Sequence, residues 1–398
     1  MRNTTTQSSV RAMVTGFSEP ATVLCAAEPT VSVAGGRTAD RTAELSGEFF
    51  EYAGMTDGEL DSFETVLVQP ETKRKQKVFL NDLALPARKL AFRPESLSAT
   101  AAVPLVIERP RAGEGLLLTV DVPAGKELKL YIFERGPGSE MAPAATPQPT
   151  SGTGTAGKPA VFVRAMVERD ASLEIVYLHP FHDGPKAQDY LKRDQFMTCL
   201  YHVKVAQNAN FRWTGVNFGD SLLEKGLIEL KGRGASADVA GAAYIPAHSL
   251  QEYQNLVVCE GVSTRAKMLN HGVVEDFGEG SFASIADIKK GASGAAARED
   301  NRFITLGDAA KANADPTLLI DEADVQASHA ATVGQMDEET MYYLRSRGLT
   351  AEQAKRLVTI GFLNPLLDRI DLPELREEIR AFLTEKVNQT ERRTNDET

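Results

Sequence analysis

The feature that most constrains this chain is a series of short segments in which apolar and polar residues alternate. The series begins near Val103 and continues for roughly two hundred residues, as in Leu128-Lys-Leu-Tyr-Ile132 and Leu173-Glu-Ile-Val-Tyr177. Alternation with a period of two predicts β-strands that bury one face. Because no clear helical period interrupts the series before the C-terminal fifth, the sequence predicts a mainly β fold.

The turns between these segments narrow the choice of β architecture. Several strands follow a small polar turn of similar composition: Ala124-Gly-Lys-Glu, Arg169-Asp-Ala-Ser, Gln207-Asn-Ala-Asn and Gly278-Glu-Gly-Ser. Short strands with such turns fit a sandwich, a barrel or a β-solenoid. The spacings are irregular, so they establish no repeat. The segment 232–244, rich in Gly and Ala, favours the solenoid because small residues let successive coils stack closely.

The C-terminal fifth has the pattern of three helices. The first opens with acids at Asp337 and ends at Gly348, where glycine suits a helix end. Thr350 then caps a second helix, with Gln353 as its capping-box partner, and Asn364-Pro365 kinks or ends that helix. A third helix begins at Leu372-Pro373, and the tail after residue 387 is polar.

These differences in hydrophobic pattern and composition divide the chain into three predicted parts. Residues 1–100 form an N-terminal segment that is irregular and partly disordered. Residues 101–335 form the β core, interrupted by a flexible insertion at 141–159 that is rich in Pro, Ala, Thr and Gly. Residues 336–398 form a small amphipathic helical domain.

Composition excludes several classes of protein. A net charge of −11 and the absence of a long basic run argue against nucleic-acid binding. The three cysteines, Cys25, Cys199 and Cys259, form no CxxC pair, which fits a reducing compartment. The sequence contains no run of about 18 apolar residues, so we expect no transmembrane helix, and the first twenty residues lack the apolar centre of a signal peptide. We therefore expect a cytoplasmic protein that binds neither nucleic acid nor membrane.

Motifs for catalysis are weak. The segment 152–158 approaches a phosphate-binding loop, but Pro159 replaces the required hydroxyl, so we interpret it as a linker. His179, His182 and Asp183 lie close together around a proline, and we interpret them as an ordinary loop and not as a zinc site. Cys259 ends a predicted strand and could bind iron transiently, although a small buried hydrophobe is the simpler interpretation. We expect no enzymatic activity.

The segment 318–338 is the most informative. It predicts a last strand, a polar turn that contains His329, and the start of the first C-terminal helix. A neutral imidazole at such a corner could ligate a borderline metal such as iron. One histidine cannot build a metal site, so a ligand role for His329 requires donors from another chain.

The same region resembles a known family. The runs Tyr343-Leu-Arg-Ser-Arg-Gly348 and Gly361-Phe-Leu-Asn-Pro365 resemble the C-terminal signature of the SufB/SufD family, the paired scaffold subunits of the SUF system for iron–sulfur cluster assembly. The run Ala327-Ser-His-Ala-Ala-Thr-Val-Gly334 looks like the SufD form of that signature, with Ala330 in place of the usual glycine. The resemblance implies a right-handed parallel β-helix with helical N- and C-terminal parts. The N-terminal helix of the family is not recognisable in residues 1–100.

The resemblance also implies partners and a site. Family members pair their β-helices, so the expected partners are SufB, or a second copy of this chain, and the ATPase SufC. His329 matches a histidine at the paired interface that is implicated in forming the nascent cluster. No intrinsic cofactor is implied, only a transient iron–sulfur cluster or iron shared with SufB. The candidate SufC-docking surface, about half of which we expect to be local helix core, comprises Tyr343, Leu344, Leu357, Ile360 and Phe362.

Two other functions remain open on the sequence. A SufB-like subunit would carry the nascent cluster itself and would need cysteine ligands, of which only Cys259 is plausible. A β-helix carbohydrate-active enzyme would need export and a cleft of clustered acids, and the sequence shows a signal for neither.

Overall fold

The computed structural model describes residues 100–108, 110, 115–135, 159–179, 197–219 and 221–396, together with four short strands nearer the N-terminus. Most of the predicted N-terminal segment, the predicted insertion up to residue 158, His182 and Asp183 lie outside the described residues. The predicted division into three domains therefore stays a prediction.

The described part of the chain contains nineteen strands and three helices. In chain order the strands are β1 (Ala21–Leu24), β2 (Ser32–Ala34), β3 (Phe49–Ala53), β4 (Arg88–Phe92), β5 (Thr100–Glu108), β6 (Gly115–Val122), β7 (Glu127–Arg135), β8 (Ala160–Val167), β9 (Ser172–Leu178), β10 (Met197–Val205), β11 (Asn210–Asn217), β12 (Leu222–Leu230), β13 (Ser236–Ile245), β14 (Leu250–Cys259), β15 (Arg265–Val274), β16 (Glu279–Ile288), β17 (Ala295–Thr305), β18 (Lys311–Ile320) and β19 (Val325–Gln335). The helices are α1 (Glu338–Ser346), α2 (Ala351–Leu367) and α3 (Pro373–Asp396).

From β5 onward, successive strands alternate between two parallel sheets. Sheet A has the order β19-β17-β15-β13-β11-β9-β7-β5-β1-β2, and sheet B has the order β18-β16-β14-β12-β10-β8-β6-β4-β3. Each coil thus contributes one strand to each sheet, which confirms the predicted mainly β parallel solenoid with C-terminal helices. Only the pairs β1–β2 and β3–β4 are antiparallel among the described strands.

The register explains why the sequence showed no clean repeat. Residue 236 pairs with residue 265, a step of 29, whereas residue 197 pairs with 222, a step of 25, and residue 279 pairs with 311, a step of 32. The strands keep a constant length of about ten residues in the later coils, and the turns absorb the difference. A solenoid needs matching strand registers but tolerates turns of variable length.

The small polar turns stack in a column along one edge of the solenoid. Asp170 and Asn208 have positive φ angles of 57° and 54°, a conformation that Asp and Asn tolerate better than most residues. The backbone N–H of Asp170 donates to the carbonyl of Gln207, and that of Asn208 donates to the carbonyl of Arg233, both at 2.9 Å. The column continues through residues 234, 263 and 294, each with positive φ. Three of the four turns recognised in the sequence, those before β7, β9 and β11, are therefore points where adjacent coils lock together.

The main core lies between the two sheets and consists of the inward rows of each strand. Its large members include Trp213, Phe282 and Phe303, all with almost no exposed surface. Phe282 and Phe303 stack with ring centroids 4.2 Å apart. Gly272 lies beside this stack, and a β-carbon there would come within 2.2 Å of the Phe303 ring. Glycine is required at position 272 because the Phe303 ring lies too close for any side chain. Burial of a large apolar side chain such as Phe303 contributes about 1.5–3 kcal/mol to the stability of the fold, and this requires that neighbouring residues leave room for it.

The helix ends follow the sequence signals. The Asp337 carboxylate accepts a hydrogen bond from the Thr340 N–H at 2.8 Å at the start of α1. Thr350 and Gln353 form both hydrogen bonds of a capping box at the start of α2. Helix α2 passes through Pro365 and ends at Leu367, two residues beyond the position where the sequence predicted a kink or an end, and α3 extends through the polar tail to Asp396. A proline in a last turn removes a single backbone bond, which the packing of α2 tolerates.

Helices α2 and α3 cover the outer face of sheet A and share a core with it. Leu363, Leu367 and Ile379 are fully buried against outward side chains of the sheet such as Val176 and Tyr244. The described part of the chain contains no helix that is both long and apolar enough to cross a membrane.

Candidate functional site at the open end of the solenoid

The last coil leaves the C-terminal end of the solenoid open. Strands β18 and β19 are the terminal strands of their sheets, so each has a neighbour on one side only. Two large apolar side chains are exposed there, Ile320 at 44% and Val333 at 47%. Edge strands present unpaired backbone N–H and C=O groups and serve as templates for pairing with another chain. The end of the rod is therefore a surface suited to a second sheet.

His329 lies in the middle of β19 and is exposed. The sequence analysis placed it in a polar turn before the first helix, which was wrong. The run of small residues around it suggested a turn, but β19 pairs with β17 along its whole length. Ala330 has no positive φ, so the absence of the family's glycine at this position causes no strain. A strand holds the imidazole at a fixed position in the register, which a turn would not.

Glu299 is the residue that the register pairs with His329 on the preceding strand of sheet A. Its side chain belongs to the inward row of β17 and is buried. Burial raises the pKa of Glu299 to about 8; the backbone N–H groups of Ala286 and Thr317 oppose the rise, and the charge of Asp315 adds to it. At neutral pH this carboxyl group is mostly protonated. It can release its proton when a cation binds beside it.

Sequence reasoning missed Glu299, although a signal was present. The inward row of β17 can be read at alternate positions from Ala295, and Glu299 is the only charged residue in that row. A charged residue at an inward position of a strand is uncommon and points to a special role.

The interior directly below the open end is polar. The Asn270 amide donates to the Ser284 hydroxyl at 3.2 Å and to the Asn301 side-chain oxygen at 2.8 Å. The Ser284 hydroxyl also donates to Asn301 at 2.9 Å. This network links β15, β16 and β17, so it joins both sheets beneath Glu299. The network is not fully satisfied, because the Asn270 side-chain oxygen and the Asn301 side-chain nitrogen are buried without a hydrogen-bond partner among the described residues.

The two cysteines that the structure describes, Cys199 and Cys259, are poorly placed for metal binding. Cys259 ends β14 as predicted, but it is fully buried in the main core and burial raises the pKa of its thiol to about 11. Cys199 is buried as well, and its thiol pKa lies well above the ordinary value because of burial and the nearby charges of Glu224 and Glu134. Metal ligation requires the thiolate, which both environments disfavour. Within the described ranges, no three His, Cys, Asp or Glu side chains are grouped closely enough to hold a metal ion.

The predicted docking surface on the helices is divided. Tyr343 is 55% exposed and Leu357 is 52% exposed, while Leu344 is half-buried. Ile360 and Phe362 are half-buried and pack against the core that the helices share with sheet A. Phe362 stacks on His271, whose Nδ1 lies 2.8 Å from the Phe362 carbonyl oxygen. Tyr343 and Leu357 therefore remain available to a partner, whereas Ile360 and Phe362 attach α2 to the sheet.

A second cluster of ionisable groups lies deep inside the solenoid. His179 is buried, with Nδ1 3.6 Å from a Glu134 oxygen and Nε2 3.5 Å from a Glu224 oxygen. The Tyr177 hydroxyl also donates to Glu134, and the Tyr177 ring lies against that of His179 at a tilt of 35°, with the ring centroids 4.6 Å apart. His179 directly follows β9, outside any regular strand, which is compatible with the loop interpretation. Its ring is nevertheless buried between two carboxylates, which raise its pKa to about 9.

The chain is similar to one family model and to several known proteins. The model of the family described as "SUF system FeS cluster assembly, SufBD core domain" matches residues 148–362, which is more than half of the chain. The chain is 34% identical over 172 residues to the iron–sulfur cluster assembly protein SufD of Bacillus subtilis, covering 43% of this chain and 39% of that protein. It is 27% identical over 122 residues to SufD of Escherichia coli, covering 31% of this chain and 29% of that protein. A SufBD family protein of Mycobacterium bovis is 28% identical over 207 residues, covering 50% of this chain and 52% of that protein. The matches thus span about half or less of each relative.

Proposed function

Since this chain belongs to the SufBD core family of the SUF system for iron–sulfur cluster assembly, we propose that it is a non-catalytic scaffold subunit of that system in the cytoplasm. In this role it pairs with a SufB-type subunit, or with a second copy of itself, and it works with the ATPase SufC. The cluster is its cargo and not a resident cofactor.

The observation that carries the proposal is the exposed His329 on the open edge of the solenoid. Its imidazole is one donor, and a partner solenoid placed against β18 and β19 supplies the others. Glu299, the register partner of His329, adds a carboxyl group that ionises when iron approaches. The exposed Ile320 and Val333 are covered when the two rods pair.

The ATPase-docking role falls to the exposed helix face. Tyr343 and Leu357 offer aromatic and aliphatic anchors on α1 and α2, and Arg347 lies over the Tyr343 ring at 5.1 Å. A nucleotide-dependent movement of the ATPase would be transmitted through α2, because Phe362 fastens that helix to sheet A.

The alternative in which this chain holds the cluster by itself has less support. That role needs thiolate ligands, and the burial of Cys259 opposes both access and ionisation.

Co-purification tests the assembly role. The tagged full-length chain, expressed together with a SufB-type subunit and SufC, should retain both partners through gel filtration. Val333→Asp should abolish solenoid pairing while keeping SufC, and Leu357→Asp should do the reverse. Val262→Asp is the matched control, since Val262 is an exposed apolar residue away from both surfaces at 37% exposure. Retention of both partners by both variants would refute the assigned surfaces, and retention of neither by the unmodified chain would refute the scaffold role.

A further inference from the structure

A cavity on the outer face of sheet B is separate from the open end. It has a volume of about 360 Å³ and lies over strands β6, β8 and β10. Met166 forms its apolar floor and is 38% exposed. The register places Asp121 on one side of Met166 and Lys204 on the other. A space of this size fits a small metabolite.

Lys204 is a cation without a partner at one side of this cavity. Its register neighbour on β12 is Glu229, which is the natural ion-pair partner. Both oxygens of Glu229 are already engaged, one with His202 Nε2 at 2.6 Å and the other with the Lys231 ammonium. The contact with His202, followed by that with Lys231, lowers the pKa of Glu229 to about 2. In the described part of the chain Lys204 therefore makes no ion pair and no side-chain hydrogen bond.

An uncompensated anion lies at the other end. Glu168 follows β8 directly, and one of its carboxylate oxygens accepts a hydrogen bond from the Ala124 N–H at 3.2 Å. It forms no ion pair with any residue that the structure describes. Strand spacing and rise place the backbones of Glu168 and Lys204 about 8 Å apart. The two side chains line the same cavity without joining each other.

The positive and negative charges of the residues that line the cavity are equal in number. Arg164 and Asp121 also border the cavity, so its fixed charges comprise two cations and two anions, while His202 is held by Glu229. A ligand that complements this lining is itself net neutral, with an anionic group facing Lys204 and a cationic group facing Glu168. A simple anion would match only one end.

From this arrangement we propose that the cavity binds a free α-amino acid. The ligand carboxylate bonds to the Lys204 ammonium, the ligand ammonium bonds to the Glu168 carboxylate, and the side chain lies on Met166. Charge-assisted hydrogen bonds at both ends select the unmodified zwitterion over derivatives capped at either end. The site is independent of cluster assembly and of the proposed partners.

The test is a titration of the full-length chain with each of the twenty amino acids, followed by calorimetry and by amide NMR shifts. N-acetyl and methyl ester derivatives of the amino acid that binds are the matched ligands. Lys204→Met and Glu168→Gln remove one charge each at positions on the surface, and Met166→Trp fills the cavity. Lys204→Arg keeps the charge, and Lys311→Met removes an exposed lysine elsewhere on sheet B.

The proposal predicts saturable binding of at least one free amino acid. The affinity should fall about tenfold or more in Lys204→Met and in Glu168→Gln, and for each capped derivative, since one charged hydrogen bond is lost in each case. Lys204→Arg and Lys311→Met should bind within about threefold of the unmodified chain. The weakest dissociation constant expected for two charged contacts is on the order of 10 mM. Failure of all twenty amino acids to bind at this concentration would therefore overturn the proposal. Equal binding of the capped derivatives, or of Lys204→Met, would overturn it as well.

Discussion

The buried His179 provides a quantitative test of the solenoid interior. Burial by itself lowers the pKa of this imidazole, but contact with Glu134 and then with Glu224 outweighs burial and raises the pKa to about 9, from an ordinary value of 6.5. A histidine whose pKa is raised on folding contributes stability that is fully present below pH 6.5. That stability is lost as the pH rises through 9. The shift corresponds to about 3 kcal/mol.

The perturbation is His179→Gln, which keeps an N–H donor but carries no charge. At pH 6.5 the variant should be less stable than the unmodified chain by about 3 kcal/mol, because two carboxylates then share a buried site without a cation. The gap should narrow to about 1 kcal/mol or less at pH 10, where the unmodified imidazole is neutral too. Urea unfolding at several pH values measures the gap as a shift of the midpoint at constant slope.

The fluorescence of Trp213 reports the transition directly. It is the only tryptophan of the chain, it is fully buried, and its ring stacks 5.5 Å from that of Tyr177. His271→Gln is the matched control of opposite sign, since burial lowers the pKa of His271, with a smaller opposing effect of its bond to the Phe362 carbonyl. Below pH 6.5 the unmodified chain should therefore lose stability, because His271 is harder to protonate in the folded state than in the unfolded state. The His271→Gln control should lose less stability over the same pH range. A His179→Gln gap that is the same at pH 6.5 and pH 10 would refute the buried cation.

Three further predictions concern other parts of the fold. Glu299→Gln resembles the protonated acid. Because the pKa of Glu299 is raised in the folded state, the unmodified chain loses stability as the pH rises from 4.5 through about 8. Relative to the unmodified chain, the variant should therefore be more stable by on the order of 3 kcal/mol at pH 8 and by little at pH 5, and an equal gain at both pH values in urea titrations would contradict this account. Gly272→Ala should destabilise by about 1–3 kcal/mol, because its β-carbon would overlap the Phe303 ring, and an unchanged thermal midpoint would show that the stack can yield. Thr350→Ala should destabilise α2 by about 1 kcal/mol, because it removes the hydrogen bond from the Gln353 N–H to the Thr350 side chain. Hydrogen exchange should detect this as faster exchange of the amides in the first turn of α2, and the Thr384→Ala control should show no such change.

The architecture could be predicted from the sequence because strands and turns carry local signals. Period-two alternation located the strands of the core, and Asp170 and Asn208 marked turns whose backbone needs a left-handed residue. The capping box at Thr350 was equally local. The coil repeat could not be predicted, because the register is set by contacts between strands that, from β5 onward, are 25 to 45 residues apart.

The candidate site was harder to predict than the fold. His329 was identified by resemblance, but its strand conformation depends on pairing with β17, and the small residues around it carry no strong strand propensity. The carboxylates that surround His179 come from β7 and β12, which are distant in sequence, so no local pattern could reveal the buried cation. Whether Ile360 and Phe362 face a partner or the sheet likewise depended on where α2 packs.

The most direct test of the account is cluster formation in the assembled complex. The full-length chain and its His329→Ala variant are each purified with a SufB-type subunit and SufC, supplied with iron, sulfide donor and nucleotide, and followed by the absorption and Mössbauer spectra of the cluster. His248→Ala is the control, because His248 is also exposed but lies in a turn away from the open end. The account predicts that the His329→Ala complex assembles normally and yields severalfold less cluster than both the unmodified and the control complexes. A full cluster yield from the His329→Ala complex would contradict it.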